Sequence, residues 1–190
     1  MADEAGEIRT NEELDAEAQA RRRMALAQIR QYPDPALRMQ ARDVEQFDDA
    51  LRQLVERMTA LMVDAHGVGL AATQVGVLQR VFVYQVGDDD PRVIVNPRIT
   101  QSSSEVETDD EGCLSLRGVT VPVERHLTLA IEARDEQGDP VSLELEGLPA
   151  RVLQHELDHL DGVLIFDRTT DEARREALAL LRPRVAITPR

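Results

Sequence analysis

The amino-acid sequence predicts an α+β fold in which antiparallel strands pack around a short central helix, with a further helix near the C-terminus. Apolar residues recur at helical spacing before residue 65 and again from residue 148. Between Arg80 and Leu145 their period changes to two, which is typical of half-buried strands. This order of helices, strands and then helices indicates an α+β protein.

The first predicted helix occupies the N-terminal region. Helix-forming residues continue from Glu12 to Ile29. The segment Tyr32-Pro33-Asp34-Pro35 then ends the helix, because a residue that precedes proline avoids helical angles. We expect this helix to lie outside the main body of the protein. The expected organisation is a peripheral, partly helical N-terminal extension over residues 1–31 and one main domain over residues 32–190.

The remaining elements follow from apolar spacing and turn residues. An amphipathic helix is predicted after Asp48, with a stop near Gly67. Valine pairs predict strands near residues 81–83 and 93–95, and a turn at 137–140 joins strands 127–133 and 141–146 into a hairpin. A short apolar strand is expected over residues 163–166. Thr169 and Glu172 predict a capping box for a last helix that runs to Leu181.

Composition narrows the class of protein and its partners. The chain has 190 residues, of which 42% are hydrophobic and 3% aromatic, so we expect a core of aliphatic side chains. The formal net charge of -14 argues against general nucleic-acid binding, since that depends on cationic side chains at phosphates. No apolar run approaches the roughly 18 residues that span a bilayer, and no secretory pattern is present. We therefore expect a cytoplasmic protein without a membrane partner.

The stretch from Gly147 to Gly162 carries the strongest chemical pattern. It predicts one short helix with Pro149 in its first turn. His155 and His159 stand four residues apart, so both imidazoles leave one face and can bind one metal ion. Glu156 completes an H-E-x-x-H pattern, in which the carboxylate handles protons for a water activated by the metal. Solvated side chains, or side chains paired with nearby acids, are the alternative, and a third ligand is still needed.

Two glycine-bearing segments precede this helix. Small residues over 67–76 let the backbone approach a ligand closely. This segment follows a helix and lacks the lysine of a phosphate loop, which argues against nucleotide binding. The second segment is Glu111-Gly112-Cys113-Leu114-Ser115, and its thiol is a soft ligand suited to Zn or Fe(II). A small buried hydrophobe is the alternative for the lone Cys113.

Taken together, these motifs resemble those of the bacterial peptide deformylases. That family has a G-x-G-x-A-A-x-Q loop, an E-G-C-L-S segment and an H-E-x-D-H helix, found here at residues 67–74, 111–115 and 155–159. The resemblance implies a deformylase catalytic domain that removes the formyl group from the N-terminal formyl-methionine of newly made polypeptides, releasing formate. It also implies that Cys113, His155 and His159 hold a metal with a water as fourth ligand. The implied natural ion is Fe(II), with Zn, Ni or Co able to occupy the site.

The resemblance also implies roles for residues around the metal. Glu156 would take a proton from the attacking water and pass it to the leaving amine. The Gln74 side-chain amide and the Leu114 backbone N–H would stabilise negative charge on the formyl oxygen. A surface amide after a turn is the alternative for Gln74.

The methionine pocket should be apolar and lie beside the metal. Val68 and Gly69 belong to the family loop, whose backbone could also pair with an extended peptide. Val152 lies three residues before His155 on roughly the same helix face, and core packing is the alternative for this residue.

Other charged residues allow two interpretations. Glu111 either orients a neighbour of the metal or is a solvated acid like Asp109 and Asp110. Asp158 and Asp161 are expected to be structural. Where the family often has proline two residues after the E-G-C-L-S serine, this chain has Arg117, which adds charge at the rim of the site.

Two competing functions and one further partner remain open. A Zn endopeptidase shares H-E-x-x-H, and a noncatalytic metal-holding or ribosome-associated protein could share the ligands. The resemblance suggests that the C-terminal segment contacts the ribosome weakly, and five arginines give it a local positive bias: Arg174, Arg175, Arg182, Arg184 and Arg190. The helix dipole favours such a basic end without any partner.

Overall fold

The computed structural model describes residues 11–87 and 89–182. Its helices are α1 (Asn11–Gln28), α2 (Asp49–Asp64), α3 (Leu148–Leu160) and α4 (Asp171–Leu180). Its strands are β1 (Gly69–Ala71), β2 (Val81–Tyr84), β3 (Arg92–Ser102), β4 (Val106–Gly112), β5 (Thr120–His126), β6 (Thr128–Arg134) and β7 (Pro140–Glu146). Short 3-10 helices lie at Pro35–Arg38, Ala72–Val75 and Ile165–Asp167.

The strands form two antiparallel sheets. The larger sheet has the order β1-β2-β3-β6-β7, and β4 pairs with β5 in a separate two-stranded ribbon. Helix α3 contacts β1, β2 and β7 of the larger sheet and also β5 of the ribbon. The predicted α+β fold, with antiparallel strands around the central helix and a helix near the C-terminus, is confirmed.

Most predicted elements have the expected type and position. The hairpin of β6 and β7 pairs Leu129 with Leu145 and Ile131 with Leu143, as alternating apolar residues require. Helix α2 starts where Asp48 accepts hydrogen bonds from the N–H groups of Ala50 and Leu51. Its buried face contains Leu51, Val55, Met58, Leu61 and Met62. Helix α1 adds Ala25 and Ile29 to the same hydrophobic cluster.

Two predictions near the C-terminus are wrong. Residues 163–166 do not form a strand. Leu164 lies in an irregular segment and Ile165 and Phe166 in a 3-10 helix, and all three are buried, so their apolar run reflects burial without sheet pairing. The cap of α4 is Thr170, whose hydroxyl accepts from the Ala173 N–H at 3.3 Å. Because position 173 is alanine, the reciprocal side-chain bond of a capping box cannot form, and the predicted box on Thr169 and Glu172 is replaced by this single cap.

Within residues 11–87 and 89–182, no helix combines the length and the apolar content that a membrane span requires.

Asn96 fixes the segment that leads into α2 against the larger sheet. Its φ of 53° lies in the left-handed region, where β3 changes register. Its side-chain oxygen accepts from the Val44 N–H at 2.7 Å, and its amide donates to the Val44 carbonyl at 2.9 Å. Val44 is buried, so these bonds satisfy both of its backbone polar groups.

We expect Asn96→Gly to lower the free energy of unfolding by about 2–4 kcal/mol, because it leaves two buried backbone groups of Val44 unpaired. Asn96→Ala should cost about 1 kcal/mol more, since alanine is strained at a left-handed φ. Urea denaturation of both variants measures the two contributions. Equal stability of the variants and the wild type would contradict this role for Asn96.

Candidate active site

The three sequence motifs meet around one cavity of about 430 Å³. One wall is the loop that enters β1, another is the segment after β4, and the third is the face of α3 that carries His155 and Glu156. Residues from each wall line the cavity, including Gly69, Gln74, Cys113, His155 and Glu156. The sequence places these residues up to 87 positions apart, and the fold brings them together.

Cys113, His155 and His159 form a metal-binding site. Their ligand atoms all lie within 4.8 Å of one another, and Cys113 Sγ is 3.2 Å from His159 Nε2. His155 uses its Nδ1 in a contact of 3.0 Å with Glu111, which leaves its Nε2 for a metal. One thiol and two imidazoles are donors that suit a transition-metal ion, and three protein ligands leave a coordination position for chemistry.

The geometry of this site follows from local structure. Pro149 occupies the first turn of α3, and the four-residue spacing places the two imidazoles one turn apart, with ring centroids separated by 4.9 Å. Cys113 directly follows the last residue of β4, so strand pairing with β5 fixes the height at which its thiol meets the helix. Cys113 is half-buried, and its side chain both packs on the core and faces the histidines.

The two histidines have different electrostatic surroundings. Burial lowers the pKa of His159 well below its usual value, and the neighbouring His155 lowers that pKa further. His159 is therefore held as the neutral imidazole that a metal requires. Burial also acts to lower the pKa of His155, but hydrogen bonds with Cys113 and Glu111 outweigh it and raise that pKa. Metal binding at His155 would thus release a proton.

Glu156 lies beside the ligands and makes no contact that would hold both of its oxygens. It is 3% exposed, and its Oε2 has no hydrogen-bond partner within the part of the chain that the structure describes. Burial raises the pKa of Glu156 to about 7. The position opposite has to be a glycine: a methyl group on Gly69 would overlap Glu156 Oε1 and come within 2.8 Å of its Cδ. This carboxylate can hold or release a proton near neutral pH.

Gln74 is buried rather than a surface amide. Its side chain is 2% exposed, and its oxygen accepts from the Ala71 N–H at 2.8 Å. Its amide nitrogen donates to the Ser115 hydroxyl at 3.1 Å and lies 3.7 Å from Cys113 Sγ. The amide hydrogens therefore point towards the metal ligands, beside Leu114, which also lines the cavity.

The three residues predicted for the methionine pocket all line the cavity. Val68 is 53% exposed at its mouth, and Gly69 lies at the start of β1. Val152 is 5% exposed and belongs to the core cluster that contains Leu153, so its side chain both lines the cavity and packs in the core.

Glu111 is a buried partner of the metal ligands and not a solvated acid. It accepts hydrogen bonds of 2.9 Å from both Arg125 and Arg151. Burial acts to raise the pKa of Glu111, but the hydrogen bonds from Arg125 and His155 outweigh it and hold that pKa at about 2. The ionised carboxylate thus fixes the orientation of the His155 ring.

Arg125 and Arg151 were missed by sequence reasoning, although both carried a signal. Arg125 follows Val121 and Val123 at alternate positions of β5, which places it on the buried face. Arg151 precedes His155 by four residues on α3 and so shares its face. A charged residue at an inward position requires a buried partner, which here is Glu111.

The other expected residues have structural contacts. Asp158 accepts from Arg125 and from Arg168, both at 2.6 Å, and Asp161 pairs with Arg80 at 2.6 Å. Both acids are structural, as predicted. The guanidinium of Arg117, predicted to add charge at the rim of the site, donates to the Leu26 carbonyl of α1 at 2.6 Å, and Arg117 is not among the residues that line the cavity.

Comparisons with known proteins agree with this geometry. The family model for polypeptide deformylase matches residues 26–175. The peptide deformylase of Thermotoga neapolitana is 48% identical over 140 residues, which cover 74% of this chain and 85% of that protein. The peptide deformylase of Chromohalobacter salexigens is 44% identical over 163 residues, covering 85% of this chain and 96% of that protein.

Solved structures give the same result. The crystal structure of a peptide deformylase from Synechococcus elongatus, in complex with actinonin, superimposes with a TM-score of 0.77 at 39% identity, covering 80% of this chain and 85% of that one. The peptide deformylase from Thermotoga maritima superimposes with a TM-score of 0.73 at 46% identity, covering 75% of this chain and 96% of that one. The chain therefore belongs to the peptide deformylase family, the metal-dependent enzymes that remove the N-formyl group from newly made polypeptides.

Proposed function

We propose residue roles for the reaction of this family, in which the formyl group of an N-terminal formyl-methionine is hydrolysed to formate. Cys113, His155 and His159 hold one divalent metal ion, and Glu156 transfers the protons. The observation that carries this proposal is the convergence of three metal donors beside a buried carboxylate at one cavity. An amide hydrolase needs both groups next to a space that admits a peptide end.

The donor set limits which ions fit. A divalent ion at this site supplies a Lewis acid, which polarises the formyl carbonyl and makes a water more acidic. We propose Fe(II) as the native ion and Zn, Ni or Co as ions that can occupy the site. A soft thiol together with borderline imidazoles supports this range and disfavours Mg or Ca, which prefer oxygen ligands.

Glu156 moves one proton twice in the proposed mechanism. Its carboxylate takes a proton from the attacking water as the water oxygen bonds to the formyl carbon. It then gives that proton to the amine nitrogen as the carbon–nitrogen bond breaks, so that formate and a free N-terminus leave. Its pKa of about 7 and its buried position near the ligands support both steps.

Gln74 and Leu114 stabilise the negative charge that grows on the formyl oxygen. The Gln74 amide is already fixed through its oxygen on Ala71 and through its nitrogen on Ser115. Donors that are oriented before the reaction stabilise the transition state without a reorganisation cost. The Leu114 backbone N–H would add a second donor from the neighbouring segment after β4.

Val68, Gly69 and Val152 contact the methionine side chain in this proposal. Val68 and Gly69 line the cavity from the segment that leads into β1, and Val152 lines it from α3. Strand β1 is at the end of the larger sheet, with β2 as its neighbour. An extended peptide could therefore add beside β1 through main-chain hydrogen bonds.

The catalytic domain would comprise residues 32–190, with residues 1–31 as an extension, and the enzyme would act in the cytoplasm on chains that leave the ribosome. The family match begins at residue 26, which supports an extension before it. We also propose weak contact with the ribosome through α4 and the residues after it. Arg175 and Arg182 are exposed there, whereas Arg184 and Arg190 lie outside the described residues.

Loss of a residue that hydrogen-bonds to a metal ligand lowers metal affinity by about 10–100-fold. Cys113→Ser should lower the affinity by more than this, because a hydroxyl is a far poorer ligand than a thiolate. Elemental analysis after equilibration with Zn measures the occupancy. His126→Gln is the matched control: His126 contacts the Ser103 carbonyl and should keep the metal when replaced. Full occupancy in Cys113→Ser would remove Cys113 from the ligand set.

Wild-type protein loaded anaerobically with Fe(II) should release formate from a formyl-methionyl peptide. Glu156→Gln should retain its metal but release formate about 10²–10⁴-fold more slowly, because it lacks the group that transfers the protons. Glu144→Gln on the exposed side of β7 is the control and should keep the wild-type rate. Loss of metal in Glu156→Gln would make Glu156 a ligand instead. Cleavage of an unformylated peptide by the wild type would favour an endopeptidase.

Ribosome contact should depend on the exposed arginines of the C-terminal segment. Arg175→Gln with Arg182→Gln should cosediment less with ribosomes at low salt, since each phosphate contact releases counterions. Substitution is preferable to truncation because Ala177 of α4 is buried in the core. Arg21→Gln with Arg23→Gln on α1 is the control, and both pairs should leave formate release unchanged. Equal cosedimentation of the two double variants would refute docking through α4.

A further inference from the structure

Helix α1 and the residues after it contact both loops of the catalytic cavity. Residues 11–25 of α1 precede the part of the chain that matches the family model. Ala25 and Ile29 are each 3% exposed and pack on the cluster that α2 forms. Arg22 donates to the Ala65 carbonyl at 3.3 Å, at the end of α2 and next to the loop that enters β1. The helix is thus attached next to residues 66–69, which line the cavity.

The segment that follows α1 holds the carbonyl groups of the two walls. The Arg30 N–H donates to the Gln74 carbonyl at 2.7 Å, and the Tyr32 N–H donates to the Ser115 carbonyl at 3.0 Å. Between them, the Gln31 side-chain amide donates to the Leu114 carbonyl at 2.9 Å and to the Ile29 carbonyl at 3.2 Å. Gln31 therefore uses one amide group to join the end of α1 to the loop after Cys113.

Arg117 makes the return contact from that loop. Its guanidinium donates to the Leu26 carbonyl at 2.6 Å. Leu26 lies in the last turn of α1, whose carbonyl groups lack helical partners and favour a cation. The loop of residues 113–118 is accordingly bonded at Leu114 and Ser115 to the segment after α1, and at Arg117 to α1 itself.

We propose that Gln31 and Arg117 are positioning residues through which α1 sets the orientation of the Leu114 peptide. This inference rests on the proposed role of the Leu114 N–H as a donor to the formyl oxygen. A backbone donor is effective only when the peptide is held within a few tenths of an ångström of its working position. The Leu114 carbonyl and the Leu114 N–H belong to adjacent peptide groups, so fixing the first restricts rotation of the second.

The test compares variants that lack the donors but keep an unbranched side chain. Gln31→Met should lower kcat about three- to tenfold, the usual effect of one lost hydrogen bond. Arg117→Met should lower it about two- to fivefold, since an exposed contact contributes less. In both variants KM and metal content should stay at wild-type values, and Arg117→Lys, which keeps a cationic donor, should restore most of the rate.

Matched controls come from α1 itself. Gln28 contacts Arg57 and Arg21 pairs with Glu17, both away from the cavity, so Gln28→Met and Arg21→Met should change nothing. Hydrogen exchange of residues 113–119 is the second measurement. Exchange in this loop should be faster in Gln31→Met and Arg117→Met than in the controls. The backbone hydrogen bonds from Leu116 to Cys113 and from Val119 to Leu116 should open more often when these two side chains no longer hold the loop.

Unchanged exchange in the loop would overturn the attachment of α1 to it. Faster exchange with an unchanged kcat, or an effect confined to KM or metal content, would overturn the positioning role. Wild-type protein that releases no formate would overturn the proposed function, and the exchange data would then still decide whether α1 holds the loop.

Discussion

The buried carboxylate of Glu111 is the interaction on which the rest of the site depends. An ionised group inside a protein is stable only when charged partners and hydrogen bonds replace its water. Here Arg125 from β5 and Arg151 from α3 supply them, both at 2.9 Å. Because Glu111 itself lies on β4, this one carboxylate joins the two-stranded ribbon to the central helix. It also contacts His155, so the assembly of the fold and the orientation of a metal ligand use the same group.

The charges behind Glu111 form a continuous chain. Arg125 bonds both Glu111 and Asp158, and Asp158 also accepts from Arg168 beyond the end of α3. Removing one partner from a buried ion pair costs about 3–5 kcal/mol, since the remaining charge is left without compensation. Each of these charged side chains is therefore held in place by the others. Together they fix the position of α3, which carries the histidines, and its rotation about its own axis. A metal site needs this rigidity because ligand geometry decides which ions and which chemistry it supports.

The sequence predicted those parts of the structure that depend on short-range spacing. The two histidines of α3, the apolar face of α2 and the hairpin of β6 and β7 all follow from periods of 3.6 or 2. Contacts between distant segments left weaker signals. The pairing of Arg125 with Glu111 spans 14 residues across two strands, and the burial of residues 164–166 depends on packing that no local pattern encodes. The apolar run there looked like a strand because strands and buried turns have the same composition.

The difference between short-range spacing and contacts from distant segments also explains how the residues of the catalytic cavity are held in place. His155, Glu156 and His159 need no distant support for their mutual spacing, because the backbone of one helix sets it. Gln74 lies in a four-residue 3-10 helix and Leu114 lies in a turn, so further hydrogen bonds must fix the orientation of their donor groups. Gln74 has Ala71 and Ser115, whereas the Leu114 carbonyl is bonded by Gln31. The orientation of the loop groups thus depends on a segment near the start of the family match, whereas the spacing of the ligands and the proton carrier on α3 is set within that helix.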